Sequence, residues 1–221
     1  LHNVRGGIGI SSDHTLVDGN IIDTFGDDGI DVATSNVMIR NNTIVNSLVL
    51  GDGNHNDAIQ GWTATSTDTN VNVSIIGNLV IAQATPQTLP EGGMQGISIF
   101  DGKWNNLVAT DNVVIAHIWH GMSFYGQDGV LMTRNIVVGD DYKDFKTWMG
   151  IFPAKDGRVP ANVTVTDNLA TGLANIPGTG ITASNNGKIT AANIPDVIQK
   201  IMAIYRAGGH VDYNTFKASI G

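Results

Sequence analysis

Short apolar segments alternate with polar residues along most of the chain, and this pattern predicts strands rather than helices. One recurring motif places an Asn between two apolar stretches, as in "MIRNNTI" and "VATDNVV". The anchoring residues are Asn20, Asn42, Asn78, Asn112, Asn135 and Asn168. A second motif is a small residue followed by an alternating strand, as in "DGIDV", "DAIQG" and "QGISI".

The two motifs recur about every 22 residues where no loop intrudes and about every 35 where one does. Such a repeat predicts a solenoid, because one coil cannot bury its apolar face alone and stacked coils share a core. We therefore predict an all-β fold over residues 1–186, a single-stranded right-handed parallel β-helix of about seven coils. The repeated Asn is expected to adopt the left-handed backbone region at a bend and to hydrogen-bond from coil to coil. A β-sandwich with Asn-rich turns is the alternative.

Residues 187–221 do not continue the repeat. The segment "NIPDVIQKIMAIYRAGG" predicts an amphipathic helix with Pro195 near its start and Gly208 as its stop. The apolar stripe of this helix is Ile194, Ile198, Ile201, Met202 and Tyr205. Because the last coil of a solenoid exposes core and strand edges, we predict a C-terminal helical cap. A contact that forms a homo-oligomer is the rival prediction.

Composition narrows the classes of function. The net charge is −8, so a nucleic-acid partner bound through a broad basic face is not expected. The chain has no Cys, which excludes disulfides and thiolate chemistry. No apolar run approaches the roughly 20 residues of a membrane helix, so membrane insertion is not expected. We take the chain, which begins at Leu1, to be a processed or trimmed piece that lacks its targeting segment, and we expect an extracellular, cell-surface or virion-surface location.

The repeat resembles the right-handed parallel β-helix superfamily that includes pectate lyases, polygalacturonases, mannuronan epimerases and phage tailspikes. The resemblance covers roughly residues 3–185. The segments "DDGIDVATSNVMIRNN", "HNDAIQGWT" and "GMQGISIF" are also similar to bacterial and prophage β-helix proteins associated with polysaccharide modification. The resemblance implies a polysaccharide substrate. "GDDGIDV" and "WHGMSF" resemble polygalacturonase motifs, but Asp28 and His120 are three coils apart, about 14 Å, and cannot act on one glycosidic bond.

Stacking the second motif at about 4.8 Å per coil predicts three columns of side chains on one face. The first column is Asp28, Asp57, Gln95, His120 and Met149. The second column, expected to point outward, is Asp31, Gln60, Ser98, Ser123 and Phe152. The third column is Ala33, Trp62, Phe100, Tyr125 and Ala154.

The third column predicts a glycan platform, because the flat faces of an exposed aromatic row suit sugar rings. The predicted substrate-binding residues are Asp31, Gln60, Trp62, Gln95, Phe100, Lys103 and Tyr125. Inserts after Trp62, Ala82, Asp140 and Ala154 leave the repeat near this face and would wall a groove. The last two inserts carry most of the available cations, Lys143, Lys146, Lys155 and Arg158. The alternative is that the loops bury the aromatic row as satellite core.

Asp28 and Asp57 should approach within about 5 to 6 Å in neighbouring coils, with Asp31 close by. Carboxyls this close raise one pKa or attract a divalent cation. They could hydrolyse a glycosidic bond, hold Ca²⁺ through Asp28, Asp31 and Asp57, or only cap turns. His55 or His120 is the predicted base. A transition-metal site made by His55, Asp57 and His120 matches no known spacing.

These observations predict a polysaccharide-processing enzyme, a lyase or C5-epimerase acting on a uronate-containing glycan. The first alternative is a glycoside hydrolase that uses Asp28 and Asp57. The second alternative is a non-enzymatic glycan-binding or tailspike-like adhesion module.

Overall fold

The structure is a computed structural model that describes residues 1–48, 50, 53–65, 67–85, 93–140 and 146–220. These residues form strands β1–β22, numbered in chain order, and helices α1 and α2. Sheet I contains, in spatial order, His2–Val4 (β1), Ile21–Phe25 (β4), Thr43–Ser47 (β7), Leu79–Ile81 (β10), Val113–Ala116 (β13), Ile136–Gly139 (β16), Leu169–Ala170 (β19) and Gly187–Lys188 (β22). Sheet II contains Ile8–Ile10 (β2), Ile30–Val32 (β5), Asp57–Gly61 (β8), Gln95–Ile99 (β11), His120–Tyr125 (β14), Trp148–Phe152 (β17) and Leu173–Ala174 (β20). Sheet III contains Leu16–Asp18 (β3), Val37–Arg40 (β6), Thr69–Ile76 (β9), Lys103–Thr110 (β12), Asp128–Thr133 (β15), Val163–Thr166 (β18) and Ile181–Ser184 (β21).

The strands pair in parallel, and each sheet takes every third strand of the chain. This order is consistent with a parallel β-helix in which every coil contributes one strand to each sheet. Apolar residues then lie above one another: Ile30 pairs with Ile59, which pairs with Ile97. All three are fully buried in one continuous core between the sheets. The predicted all-parallel β architecture is confirmed.

The repeated Asn residues form a ladder at the bend between sheet III and sheet I. The backbone N–H and the side-chain Nδ2 of each ladder residue donate to Oδ1 of the next one, at 2.9 to 3.1 Å. The members are Asn20, Asn42, Asn78, Asn112, Asn135, Asn168 and Asn186. From Asn42 onward, Nδ2 also donates to the carbonyl of a strand of sheet III, such as Ile75 O from Asn112.

The predicted backbone conformation of the ladder is wrong by one residue. The left-handed residue is the one before each ladder Asn, for example Asn41 at φ 54° and Gly77 at φ 63°. This residue turns the chain, and the ladder Asn that follows it places its amide inside the bend. The residue that turns the chain and the Asn that forms the ladder are therefore two adjacent residues of the sequence.

Helix α1 (Ile194–Arg206) and helix α2 (Tyr213–Ile220) pack along the outward face of sheet I. Val197 and Ile201 of α1 share a buried cluster with Val45, Ile81 and Ile115 of sheet I. The predicted helix and its stop are confirmed, since α1 ends at Arg206 and Gly208 has φ 70°. The predicted end cap is corrected, because the apolar stripe packs along the outward face of sheet I from Val45 to Ile189. The last strand, β22, also extends two residues beyond the predicted end of the repeat at residue 186.

Sheet II departs from the predicted columns at β17. A register irregularity between His120 and Met122 pairs Met122 with Met149 and Tyr125 with Phe152. Met149 therefore does not continue the first column. Phe152 stands in the third column, in the place that the repeat assigned to Ala154. Of the inserts, residues 86–92 and 141–145, including Lys143, lie outside the described residues.

Candidate functional site

The acidic residues meet where two neighbouring coils enter sheet II. Asp28 precedes β5 and Asp57 begins β8, so the two residues are adjacent across the stack. The backbone N–H of Asp57 donates to Asp28 Oδ1 at 2.7 Å, and the N–H of Gly29 donates to Asp57 O at 2.9 Å. The predicted proximity of Asp28 and Asp57 is present, and Asp28 also ties the coils together.

Asp28 and Asp31 hold protons more tightly than ordinary aspartates. Burial, followed by the charges of Asp57, Asp31 and Asp27, raises the pKa of Asp28 to about 8 against a hydrogen bond that lowers it. Burial raises the pKa of Asp31 to about 6, and a hydrogen bond with the Asp28 carboxyl opposes the rise. Two carboxyls in contact cannot both ionise cheaply. Asp28, which has the higher pKa of the two, therefore favours its protonated form near neutral pH.

His55 and Asp57 form a second pair beside these two carboxyls. His55 Nδ1 lies 2.9 Å from Asp57 Oδ2, and Gln60 Nε2 donates to the same oxygen at 3.2 Å. The hydrogen bond to Asp57 raises the pKa of His55, while burial raises the pKa of Asp57. The side chain of Asp57 is 0% exposed and that of His55 is 51% exposed. Asp57 therefore orients His55, and only His55 of this pair presents a group to solvent.

The fit of Asp28, Asp31 and Asp57 to Ca²⁺ is poor. Calcium takes six to eight oxygen ligands, and in the described part of the chain no group of three or more His, Asp or Glu is placed to hold a metal ion. Oδ1 of Asp31 and Oδ1 of Asp57 are buried there without a hydrogen-bond partner. Burial raises the pKa of both carboxyls.

His120 lies further along sheet II, at the start of β14. Its Nδ1 is 3.1 Å from Ser123 Oγ, and its ring makes edge contacts with Phe100 at 4.7 Å and with Trp148 at 5.2 Å between centroids. Burial, and secondarily the charge of His55, lowers the pKa of His120 to about 4. His120 is therefore neutral at physiological pH and belongs to the aromatic cluster rather than to the acid group.

Half-buried rings continue across the outward side of β11, β14 and β17. Phe100 meets Tyr125 at 5.0 Å, and Tyr125 stacks on Phe152 at 4.8 Å. Trp148 extends this cluster at 6.1 Å from Phe152. We call Phe100, His120, Tyr125, Trp148 and Phe152 the aromatic face.

Two members of the predicted aromatic row, Phe100 and Tyr125, are in contact, whereas Trp62 makes no ring contact within the described ranges. Trp119, 45% exposed, stacks on Trp148 at 6.5 Å and continues the aromatic face toward solvent. The repeat did not single out Trp119 or Trp148. Their signal is a Trp at the start of a strand of sheet II: Trp119 directly precedes β14 in "WHGMSF", and Trp148 is the first residue of β17 in "WMGIF".

The polar column beside the rings is buried instead of open. Ser98 pairs with Gln60 and Ser123, and both serines are 0% exposed. Ser98 Oγ donates to Gln95 Oε1 at 3.4 Å, and Gln95 is also buried. Asp31 and Gln60 are partly exposed. A ligand can therefore reach these two residues and the exposed His55.

Two of the predicted cations, Lys155 and Arg158, have structural partners. Arg158 donates to the carbonyls of Gly126 and Gly102 at 3.0 and 2.8 Å, and Lys155 pairs with Asp101 at 2.9 Å. Lys103 begins β12 in sheet III. Hydrogen bonds from Arg158 lower the pKa of Asp156, and the charge of Lys103 adds a smaller effect in the same direction. These side chains lie around the bend after sheet II and away from the acid group.

No protein-family model and no curated protein matches the chain. None of the described helices combines the length and the apolar character needed to cross a bilayer.

Proposed function

We propose that the chain is a right-handed, pectate-lyase-like parallel β-helix of about seven coils that acts on a uronate-containing polysaccharide. The glycan lies on the outward side of sheet II, from His55 to the aromatic face. Eliminative cleavage is the reaction that the site supports best, with C5 epimerisation as its close variant. The protein acts outside the cell or at a cell or virion surface.

One juxtaposition carries this proposal: an exposed imidazole oriented by a buried carboxyl beside a carboxyl pair that keeps a proton at neutral pH. His55 and Asp57 form the first part at 2.9 Å. Asp28 and Asp31, with pKa values of about 8 and about 6, form the second. Titratable groups whose pKa values are pushed apart in one place are typical of acid–base catalysis.

In the proposed elimination, neutral His55 removes the proton on C5 of the uronate. The electrons of the C5–H bond form the C4–C5 double bond, and the C4–O4 bond breaks. His55 then gives its proton to O4. In this proposal the proton of the carboxyl pair lies on Asp31, its partly exposed member, and hydrogen-bonds the uronate carboxyl group as negative charge builds up on it. This is the role given to Ca²⁺ in the sequence-based hypothesis. In epimerisation the C5 proton would return from the opposite side and no bond of the chain would break.

The burial of Asp57 weighs against the hydrolase alternative. A glycosidase needs both carboxyls at the scissile bond, and Asp57 is 0% exposed while Asp28 is 8% exposed. Neither carboxyl can approach a sugar unless the coil opens.

The test is incubation with a panel of uronate polysaccharides, with and without a chelator, followed by ultraviolet absorbance of the unsaturated product. We expect absorbance to rise equally in both conditions and to be lost in His55→Gln. His14→Gln, a change at an exposed His on another part of the surface, is the control. Reducing ends without unsaturation would establish hydrolysis instead. An NMR measurement of C5 configuration detects epimerisation.

The aromatic face favours a second candidate, a glycan-binding module without catalysis. Aromatic side chains bury large areas and offer flat surfaces to sugars, and Trp119 remains 45% exposed. Glycan binding that is weakened by Tyr125→Ala but unaffected by His55→Gln, with no product formed, would support this candidate. Leu131→Ala, at an exposed position of sheet III, is the control.

A further inference from the structure

A cavity of about 600 Å³ lies next to the aromatic face, between the end of sheet II and the last strand of sheet I. Gly139, Thr171 and Gly172 lie along one side of it, and Ile189 and Ile194 contribute apolar surface. The glycines are required by close packing: a Cβ on Gly139 would lie 2.7 Å from Thr147 Oγ1, and one on Gly172 would lie 2.9 Å from Thr147 O. The cavity is therefore built by tightly packed backbone.

Two lysines line this cavity, Lys146 at the entry to β17 and Lys188 at the end of β22. Neither ammonium group has a hydrogen-bond or ion-pair partner in the part of the chain that the structure describes. By contrast, Lys155 and Lys200 are paired with aspartates at 2.9 and 2.8 Å. In a chain with a net charge of −8, two unpaired lysines at one cavity mark a local reversal of the electrostatic potential.

Trp148 connects the cavity to the aromatic face. Its ring lines the cavity and also contacts His120 and Phe152 of that face. Its indole Nε1–H is shielded from solvent and has no acceptor among the described residues. Buried donors usually have a hydrogen-bond partner. An acceptor group of a bound ligand would be such a partner for the indole N–H.

We propose that this cavity is a subsite for an anionic sugar unit, in which Lys146 and Lys188 bind a carboxylate or sulfate and Trp148 contacts the ring. This inference rests on the proposed glycan function and narrows the ligand to polyanionic chains. The cavity begins at β17, three strands from His55 and β8, or about 14 Å along the stack. A glycan on the outward side of sheet II would thus place the reacting unit at His55 and a more distant charged unit between the lysines.

The experiment compares binding of defined oligomers of galacturonate, mannuronate and guluronate with binding of their carboxyl-reduced counterparts by calorimetry at low salt. We expect wild-type protein to bind at least one charged oligomer more tightly than its reduced form. Lys146→Ala/Lys188→Ala should weaken binding of that oligomer about 3- to 30-fold and remove most of its salt dependence. Lys200→Ala, which removes one charge from α1 outside the cavity, should bind as wild type does.

The outcomes separate the two proposals. If the charged oligomer binds and the double variant binds it equally well, the subsite inference is overturned while the proposed function stands. If wild-type protein binds charged and carboxyl-reduced oligomers equally well, the subsite inference is also overturned and the proposed function stands. If neither kind of oligomer binds to wild-type protein, both proposals are wrong. Circular dichroism and thermal unfolding of the double variant show whether its solenoid is intact.

Discussion

At the scale of single residues, the position of Asp57 determines how the site can work. Asp57 is the fully buried partner of a half-exposed imidazole, an arrangement in which a carboxylate fixes the tautomer and orientation of a His base. The sequence places Asp57 at the start of a strand, where strict alternation does not apply. Its burial depends on the neighbouring coils, which supply Asp28 and Gln95 as its neighbours.

Asp57→Asn should reduce catalytic efficiency without unfolding the chain. Asn retains the volume of Asp but lacks the carboxylate whose hydrogen bond and charge raise the pKa of His55. We expect kcat/KM on the cleaved uronate polymer to fall about 10²- to 10⁴-fold and the NMR-measured pKa of His55 to decrease. Asp101→Asn, at an exposed carboxyl paired with Lys155, is the control. An unchanged His55 titration in Asp57→Asn would disprove the pairing.

The raised pKa of Asp28 predicts how stability depends on pH. A carboxyl whose pKa rises from 3.8 to about 8 on folding binds more protons in the folded state between these pH values, so the free energy of unfolding falls as pH rises through this window. We expect wild-type protein to lose roughly 1 to 3 kcal/mol between pH 5 and pH 8. Asp28→Asn, which can still accept the Asp57 N–H, should flatten this dependence. Urea denaturation at pH 5 and pH 8 measures the free energy of unfolding of both proteins. If this free energy changed equally with pH in wild type and in Asp28→Asn, the raised pKa of Asp28 would be refuted.

At the scale of elements, the Asn ladder shows why the sequence predicted the strands so well. Each ladder Asn satisfies a backbone N–H of the coil before it and a carbonyl of sheet III. Because every coil needs these bonds, the same residue type returns at each bend and its spacing is visible in the sequence. Asn186 was missed because it follows Asn185 in a shorter final repeat, yet it accepts from Asn168 at 2.9 Å.

Asn112→Ala should destabilise the protein strongly. The substitution removes the acceptor of the Asn78 N–H and Nδ2 and the donor to Ile75 O. Buried groups left without partners cost about 1 to 3 kcal/mol each, so we expect a loss of roughly 2 to 5 kcal/mol in the free energy of unfolding. Asn105→Ala, at an exposed position of β12, should change it by less than about 0.5 kcal/mol. Chemical denaturation measures the free energy of unfolding of both variants. A large loss in Asn112→Ala and not in Asn105→Ala would support a connected ladder, and small losses in both would support a set of independent turns.

The element-level failures have local causes. The irregularity between His120 and Met122 changes the pairing partner of every later residue in β14, and a bulge leaves no reliable mark in the sequence. The predicted columns are therefore correct as far as β14, as in the column from Asp31 to Ser123. They are wrong in β17, at Met149 and Phe152. The lysine-lined cavity could not be predicted either, because Lys188 reaches it from the last strand of another sheet.

At the scale of the whole molecule, sheet I is covered on both faces. Residues pointing inward from β7, β10, β13 and β16 join the central core, and those pointing outward join the cluster with α1 and α2. A strand buried on both sides is a continuous apolar run, and "LVI", "VVIA" and "IVV" are such runs. That signal was available in the sequence, and it shows why the helices lie along the solenoid and not across its end.

Because the helical stripe packs within the chain, disrupting it should destabilise the molecule before it affects any partner contact. Ile201→Asp places a charge among fully buried residues such as Val197 and Ile115. We expect the free energy of unfolding to fall by more than about 3 kcal/mol, with increased dye binding and self-association through the exposed face of sheet I. Ala203→Asp, at an exposed position of the same helix, is the matched control. If the stripe instead served a homo-oligomer, Ile201→Asp would give a stable monomer in size-exclusion chromatography with light scattering. That result would show that the helices form an interface between copies of the chain and do not stabilise the fold of the single chain.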